Sequence, residues 1–351
     1  MKKMHLSPYE RVFCAINNKE FDVFPAINPT SVATVASMGF AKAHFPVAHT
    51  DPIKMADLAS VGYSHFGFDS IAPYFSIHLE SAALGATVNW QDANKKPTIT
   101  HTPIKDVDSF SVPNNFFRSG YFQNLLKAIT ILKKQHNKAV PIIGKVMGPW
   151  TLAYNLYGVD NLTIDIILEP QRVAYLLKEL YQVSITFAKA QFEAGADIVT
   201  WADHATADIV SAQIYEEFVL PYHKQGAATL KKYGPAILHI CGNVMDRTDI
   251  IAQSGFPIFH MDSRNDVVKA QDTFGGRMQI TGTINNPATL AHGTPQAVEK
   301  EVLINLKKGI KLISPECALP YTVPKENLLA LVKTAHRYNV IDIQKKSVGL
   351  Y

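Results

Sequence analysis

Three residues in this chain have types suited to holding a metal. His239 and Cys241 stand two positions apart in the apolar run AILHICGN, and Cys317 follows 76 positions later (317 − 241) in SPECALP. Residues i and i+2 of a strand face the same way, so one imidazole and one thiolate aim at a single point. A His–Cys–Cys set, two soft thiolates with one borderline nitrogen, suits zinc. H-x-C by itself also arises as core packing. It becomes specific when the fold carries Cys317 to the same place, and it then predicts one zinc ion per chain. Three protein ligands leave a fourth position open, which marks a catalytic rather than a structural zinc. Zn²⁺ with two thiolates and a neutral imidazole carries no net charge. Such a centre is a weak Lewis acid toward carbonyls but holds a third thiolate well, and a substrate thiol there loses its proton near neutral pH. The chemistry this favours is alkyl transfer to sulfur.

Positioning those residues requires particular elements. Ser7 with Glu10 makes a capping box ahead of RVFCAI, so an N-terminal helix is expected. Cys14 on that helix reads as a small buried hydrophobe. Strands are expected at FPAIN, DSIAPYF, PIIGKV, ADIVTW, AILHIC, PIFHMD, MQITG and IKLIS. Helical periodicity separates them, except near residues 84–104, where ATVNW, DANKKP and TITHTPI read as an inserted β-hairpin. Alternating strands and helices argue for parallel pairing. Eight such strands predict an α/β fold, a (β/α)8 or TIM barrel, as a single domain over residues 1–351. No G-x-G-x-x-G follows the first strand, which disfavours an open doubly wound sheet. In such a barrel the chemistry sits at the strands' C-terminal ends. His239 and Cys241 end the fifth strand and Cys317 follows the eighth, so all three share one rim.

Bulk properties exclude several classes. The formal charge of +4 is scattered, with no basic block, so nucleic acid is not an expected partner. No run approaches the length of a bilayer-spanning helix, and MKKMHLSPYERVFC contains no apolar segment suited to a signal peptide. Three sparse cysteines provide no disulfide framework. A cytoplasmic protein without a membrane partner is expected.

The motifs MGPWTLA (147–153), EAGADIVTWAD (193–203), HICGNV (239–244), GTINNPATLAHGTPQAVEKEV (282–302) and SPECALPYTVPKENLLALV (314–332) carry a resemblance that runs nearly end to end. The chain resembles the uroporphyrinogen decarboxylase superfamily, and within it the zinc-dependent methylcobamide:coenzyme M methyltransferases. HICGNV with the distant cysteine matches the family's H-x-C…C zinc pattern. The resemblance implies methyl transfer from methylcob(III)amide to the zinc-bound thiolate of coenzyme M, giving methyl-coenzyme M and cob(I)amide. None of the thirteen histidines has Asp two residues before it, so D-x-H-x-x-G is absent and the methylcobamide is expected on a partner corrinoid-binding protein. A decarboxylase would carry arginines near the first strand, where FPAINPTSVATVASMGF has none. Other readings are a methyltransferase acting on another thiol, one that loads a corrinoid protein from a methoxy or methylamine donor, and a non-catalytic barrel with structural zinc.

Further candidates surround the ligand set. Asp203 ends the fourth strand and is expected either as a catalytic group, a weak fourth zinc ligand or hydrogen-bond partner, or as a helix cap. Glu316 has the same ambiguity. His204 reads as incidental, and His260 and Asp262 face the mouth with no assigned role. Asn243 is expected to orient the loop after Cys241. Lys145, on the third strand, is a candidate for the sulfonate of coenzyme M.

Overall fold

The computed structural model describes residues 5–92, 95–340 and 342–343. The N-terminal helix Pro8–Ile16 starts as its capping box dictates: the Glu10 N–H donates to Ser7 Oγ, and the Ser7 N–H donates to the Glu10 carboxylate. Cys14 on this helix is only half-buried, its side chain packed against the core. The hairpin is present as β1 (Thr87–Asn89) and β2 (Thr98–His101), antiparallel and mostly exposed.

Six parallel strands form one sheet in chain order: β3 (Ile143–Met147), β4 (Ile198–Ala202), β5 (Ala236–Ile240), β6 (Ile258–Met261), β7 (Gln279–Ile284) and β8 (Leu312–Pro315). Nearly every residue in them is buried, as expected for parallel strands covered on both faces. The intervening helices follow the sequence signals. Pro170 opens the helix Pro170–Ala194, which closes at Gly195 with φ +115°. Thr294 caps the helix Pro295–Lys307. A π-helical turn, Tyr215–Val219, precedes Pro221 in the helix Leu220–Leu230. The helix expected over VMDRTDIIAQSG is only Thr248–Ile251. The chain ahead of it is held by the buried Arg247 guanidinium, which donates to the Ala205 and Val210 carbonyls.

The first two expected strands are not regular strands, a correction to the sequence expectation. Each is reduced to one bridge: Ala26 to Ile313 of β8, and Ile71 to Ile142 beside β3. Prolines 25, 29 and 73 remove ladder donors, and side chains take over others. The Asp69 carboxylate accepts the Ala26 N–H at 2.8 Å, and Ser70 Oγ accepts that of Asn28 at 3.0 Å. The Asp69 N–H donates to the Ala26 carbonyl. Hydrogen bonds thus run from β8 through both segments to β3, and the architecture is an α/β barrel with two of its eight positions irregular. Arg11 and His336 both contact the buried Asp69 carboxylate at this closure.

Strand register sets what faces the interior. Met147, Ala202, His239 and His260 are successive lateral neighbours. Lys145 lies beside Thr200, two residues nearer the strand starts. Alternate strand residues share a face, so Lys145 and His239 open onto the same space.

Candidate metal centre

His239 is 1% exposed and its ring is fixed by the neighbouring strand. Nδ1 lies 3.1 Å from the backbone carbonyl of His260. A carbonyl can only accept, so Nδ1 carries the proton and the Nε2 lone pair is left for a ligand. Nε2 lies 3.6 Å from Cys317 Sγ. The ligand atoms of His239, Cys241 and Cys317 all lie within 4.8 Å of one another. The barrel therefore closes the 76-residue gap between the two cysteines.

Each sulfur acts on the other: the nearby Cys317 and burial push the Cys241 thiol up, while the nearby Cys241 holds the Cys317 thiol well down. A soft metal takes both sulfurs as thiolates, so binding one here displaces the proton of the raised thiol. The spacing also fits zinc. A tetrahedral edge built from Zn–S of about 2.3 Å and Zn–N of about 2.0–2.1 Å is roughly 3.6 Å long, the separation seen between Cys317 Sγ and His239 Nε2.

Asp262, which the sequence left without a role, supports the group. Its Oδ2 accepts the Gly242 N–H at 2.9 Å and lies 3.7 Å from Cys241 Sγ. Burial raises its pKa, but hydrogen bonds from the Arg264 backbone and side chain and from Gly242 outweigh burial and keep the carboxyl below its usual range. A fixed negative group therefore sits beside one sulfur. Gly242, at φ +96°, turns the chain here, and a Cβ would meet Thr206 Oγ1 at 2.4 Å. Only glycine fits this close approach. His260 stacks 4.5 Å from the His239 ring and is held by the Pro315 carbonyl at 2.7 Å. Burial lowers it to about 3, so it stays neutral.

Asp203 does not join the ligand atoms. Its Oδ1 accepts the Thr151 N–H at 2.7 Å and the Thr151 hydroxyl at 2.8 Å, and Oδ2 lies 3.2 Å from His223 Nε2. Thr151 is in the first turn of the helix Pro149–Tyr157, so Asp203 caps a helix that precedes its own strand in the chain. Glu316 is also turned away. It accepts the Asn286 N–H at 2.8 Å and the Ser263 N–H at 2.9 Å, tying together the loops after β6 and β7. Asn243 is exposed, and its side chain accepts the Met245 N–H while its carbonyl accepts from Thr206 and Ala207. It orders the loop after Cys241.

His204 is brought to the site after all. Its Nδ1 lies 2.5 Å from the Tyr154 hydroxyl, and its ring is 6.4 Å from that of His239. Burial lowers it to about 4. Lys145 is 3% exposed, with Nζ 4.5 Å from the Tyr74 ring centroid. Burial lowers it to about 8, with the charges of Cys317 and Glu80 acting to raise it. Tyr74 donates a short hydrogen bond to the buried Glu80 carboxyl, whose other oxygen accepts the Met147 N–H at 2.9 Å. Burial raises Glu80 to about 7.

The parallel α/β barrel thus carries on its C-terminal rim a candidate metal-ligand group of His239, Cys241 and Cys317. The chain belongs to the uroporphyrinogen decarboxylase (URO-D) family, whose model matches residues 7–338. Its relatives include the methylcobamide:CoM methyltransferase MtbA of Methanosarcina acetivorans, 30% identical over 95% of this chain and 98% of that protein. The methylated-thiol–coenzyme M methyltransferase of Methanosarcina mazei is 29% identical over 98% of this chain and 95% of its own length. A solved methyltransferase structure from Methanosarcina mazei superposes with a TM-score of 0.91 at 27% identity, covering 95% of this chain and 99% of that one. The resemblance read from the motifs thus extends across nearly the whole chain. No helix among the described residues is long and apolar enough to cross a membrane.

Proposed function

We propose that this protein is a single-domain, cytoplasmic, zinc-dependent methyltransferase. In this reading it moves a methyl group from a methylated corrinoid protein to the sulfur of coenzyme M. The observation that carries it is the convergence of His239 Nε2, Cys241 Sγ and Cys317 Sγ within 4.8 Å, with no fourth ligand atom in the group among the described residues. Full-length relatives with methylcobamide and coenzyme M in their names support it. Zinc bound there would lower the pKa of an incoming thiol and keep it as a thiolate.

The protein's own residues do the rest. His239 is held in the ligating tautomer by the His260 carbonyl. Asp262 fixes the turn that presents Cys241. With zinc held by His239, Cys241 and Cys317, the substrate thiol would give up its proton to solvent, and its sulfur lone pair would form the new S–CH₃ bond while the electron pair of the Co–CH₃ bond returned to cobalt as cob(I)amide. Holding sulfur at the barrel mouth replaces a bimolecular encounter with a local one when the partner docks.

Metal analysis of the purified chain and its variants tests the site. The wild type should hold about one zinc per chain, and Cys241→Ala and Cys317→Ala should each lose it. Retention of zinc in both variants would refute the assignment.

A further inference from the structure

The helix Val159–Leu168, VDNLTIDIIL, is apolar on two faces. Leu162 and Ile166 are buried. Ile164, Ile167 and Leu168 are 53%, 76% and 69% exposed, the last two being the most exposed large apolar side chains among the described residues. A helix apolar on both faces is ordinarily covered on both, and a contiguous exposed patch of this kind marks an interaction surface. Polar contacts hold the helix in place: Tyr157 donates to Asp165 at 2.8 Å, and Arg172 ties Asp165 to Asp106. Just past Leu168, Pro170 and Ala174 line a groove of about 330 Å³ together with Phe218, Pro221 and Tyr222. The apolar surface thus continues from one helix onto the next two.

Its place and its charge say what covers it. The helices Pro170–Ala194 and Leu220–Leu230 each run back toward the start of the next strand, β4 and β5. Their N-terminal ends, which form the groove, therefore stand on the rim side with His239, Cys241 and Cys317. The first of them has 25 residues, about 37 Å at 1.5 Å per residue, against roughly 17 Å for a five-residue strand. Only residues 195–197 separate it from β4, so its excess length extends past the rim. The helix Pro149–Tyr157 joins the patch to the site, since its Tyr154 hydroxyl meets His204. The frame is acidic. Segments 159–171 and 206–222 contain Asp160, Asp165, Glu169, Asp208, Glu216 and Glu217 and no Lys, Arg or His, in a chain with 34 Lys and Arg against 30 Asp and Glu. Asp160, Glu169, Glu216 and Glu217 are exposed and, among the described residues, in no ion pair. A two-fold contact between copies of this chain would set that acidic frame against itself. A different protein with the opposite frame fits it.

We propose that this surface docks the corrinoid-carrying protein, and that the partner meets it with apolar side chains framed by Lys and Arg. The inference rests on the thiol-methyltransferase reading for the partner's cargo. A protein seated on this raised flank overhangs the mouth, where the methyl donor is needed. Ile167 and Leu168 supply the apolar contact, and the acidic frame steers the encounter.

The test sets a protein-bound methyl donor against a free one. The zinc-loaded full chain is assayed with 2-mercaptoethanesulfonate and either free methylcobalamin or a D-x-H-x-x-G corrinoid protein of the same organism loaded with methylcobalamin. Binding of that protein is followed in parallel by sedimentation. The double variant Ile167→Asp/Leu168→Asp should weaken this binding by about 10–100-fold and raise the KM for the protein-bound donor to match. Its kcat/KM for free methylcobalamin, zinc content and Tm should stay unchanged. The charge reversal Glu216→Lys/Glu217→Lys should slow association by about 10-fold at low salt and far less at high salt. Failure of the wild type to bind the corrinoid protein, or undiminished binding in both variants, would overturn the docking surface, while thiol-dependent demethylation of free methylcobalamin left the methyltransferase reading intact. Self-association of the wild type that both variants abolish would give the surface to a second copy and likewise overturn the proposal. Binding that both variants weaken, with no demethylation of either donor, would instead overturn the thiol reading and leave the docking surface standing.

Discussion

What suits His239 to the proposed ligand role is what it does with its other nitrogen. The His260 carbonyl, presented by the adjacent parallel strand, takes the Nδ1 proton and leaves Nε2 directed at Cys317. Asp262 plays the corresponding part for Cys241 through Gly242 and the sulfur itself. Removing a supporting group of this kind weakens metal binding by about 10–100-fold. Asp262→Ala should show that loss in a competition titration with a chromophoric chelator, and unchanged affinity would deny it the role. Protonation provides a second check. The nearby Cys317 and burial raise the Cys241 thiol, so zinc would have to displace its proton. Zinc affinity should therefore rise steadily from pH 6 to pH 8 in the same titration. A flat profile would contradict a protonated Cys241. The three ligands were legible from residue type and the period-two alternation of strands. Asp262 was not, because its contribution is a bond to a backbone N–H on another strand's loop, which no spacing in the chain encodes.

At the scale of elements, Asp203 shows how a rim carboxylate can serve a helix instead of a metal. Its two bonds to Thr151 cap the helix Pro149–Tyr157, and the rim glycine Gly148 leaves room for it, since a Cβ there would lie 2.2 Å from Oδ2. Asp203→Ala should destabilise the fold by about 1–3 kcal/mol, a lost cap plus unsatisfied buried donors. The melting temperature should drop and the zinc content should not, whereas zinc loss would restore Asp203 as a ligand. The helix-cap reading was open in the sequence, but the helix it serves lies upstream, across a β3–β4 neighbour contact that only the sheet supplies. Elements with strong local signals, such as the capping box at Ser7, the Gly195 stop and the Thr294 cap, form where the sequence places them. The runs FPAIN and DSIAPYF look like strands by composition, yet their prolines and the side chains of Asp69 and Ser70 substitute for ladder hydrogen bonds.

At the scale of the molecule, the irregular closure and the ligand group belong to one design. Arg11 and His336 clamp the buried Asp69 carboxylate where the first two segments meet. That junction completes the ring on which β5 and β8 face one another, and so brings Cys317 to Cys241. The eight-fold alternation of apolar runs and helices made the ring legible in the sequence. Lys145 was only half legible: the strand pattern places it on β3, but its burial against the Tyr74 ring depends on a segment far away in the chain. The central claim is that the rim group activates a thiol for methylation by a corrinoid. It is tested most directly by following methylcobalamin spectroscopically with the zinc-loaded protein, with and without 2-mercaptoethanesulfonate. Methylcobalamin should be converted to demethylated cobalamin only when the thiol is present, with the S-methylated thiol as product and no activity in Cys317→Ala. A zinc-replete protein that leaves methylcobalamin unchanged in the presence of the thiol would contradict it.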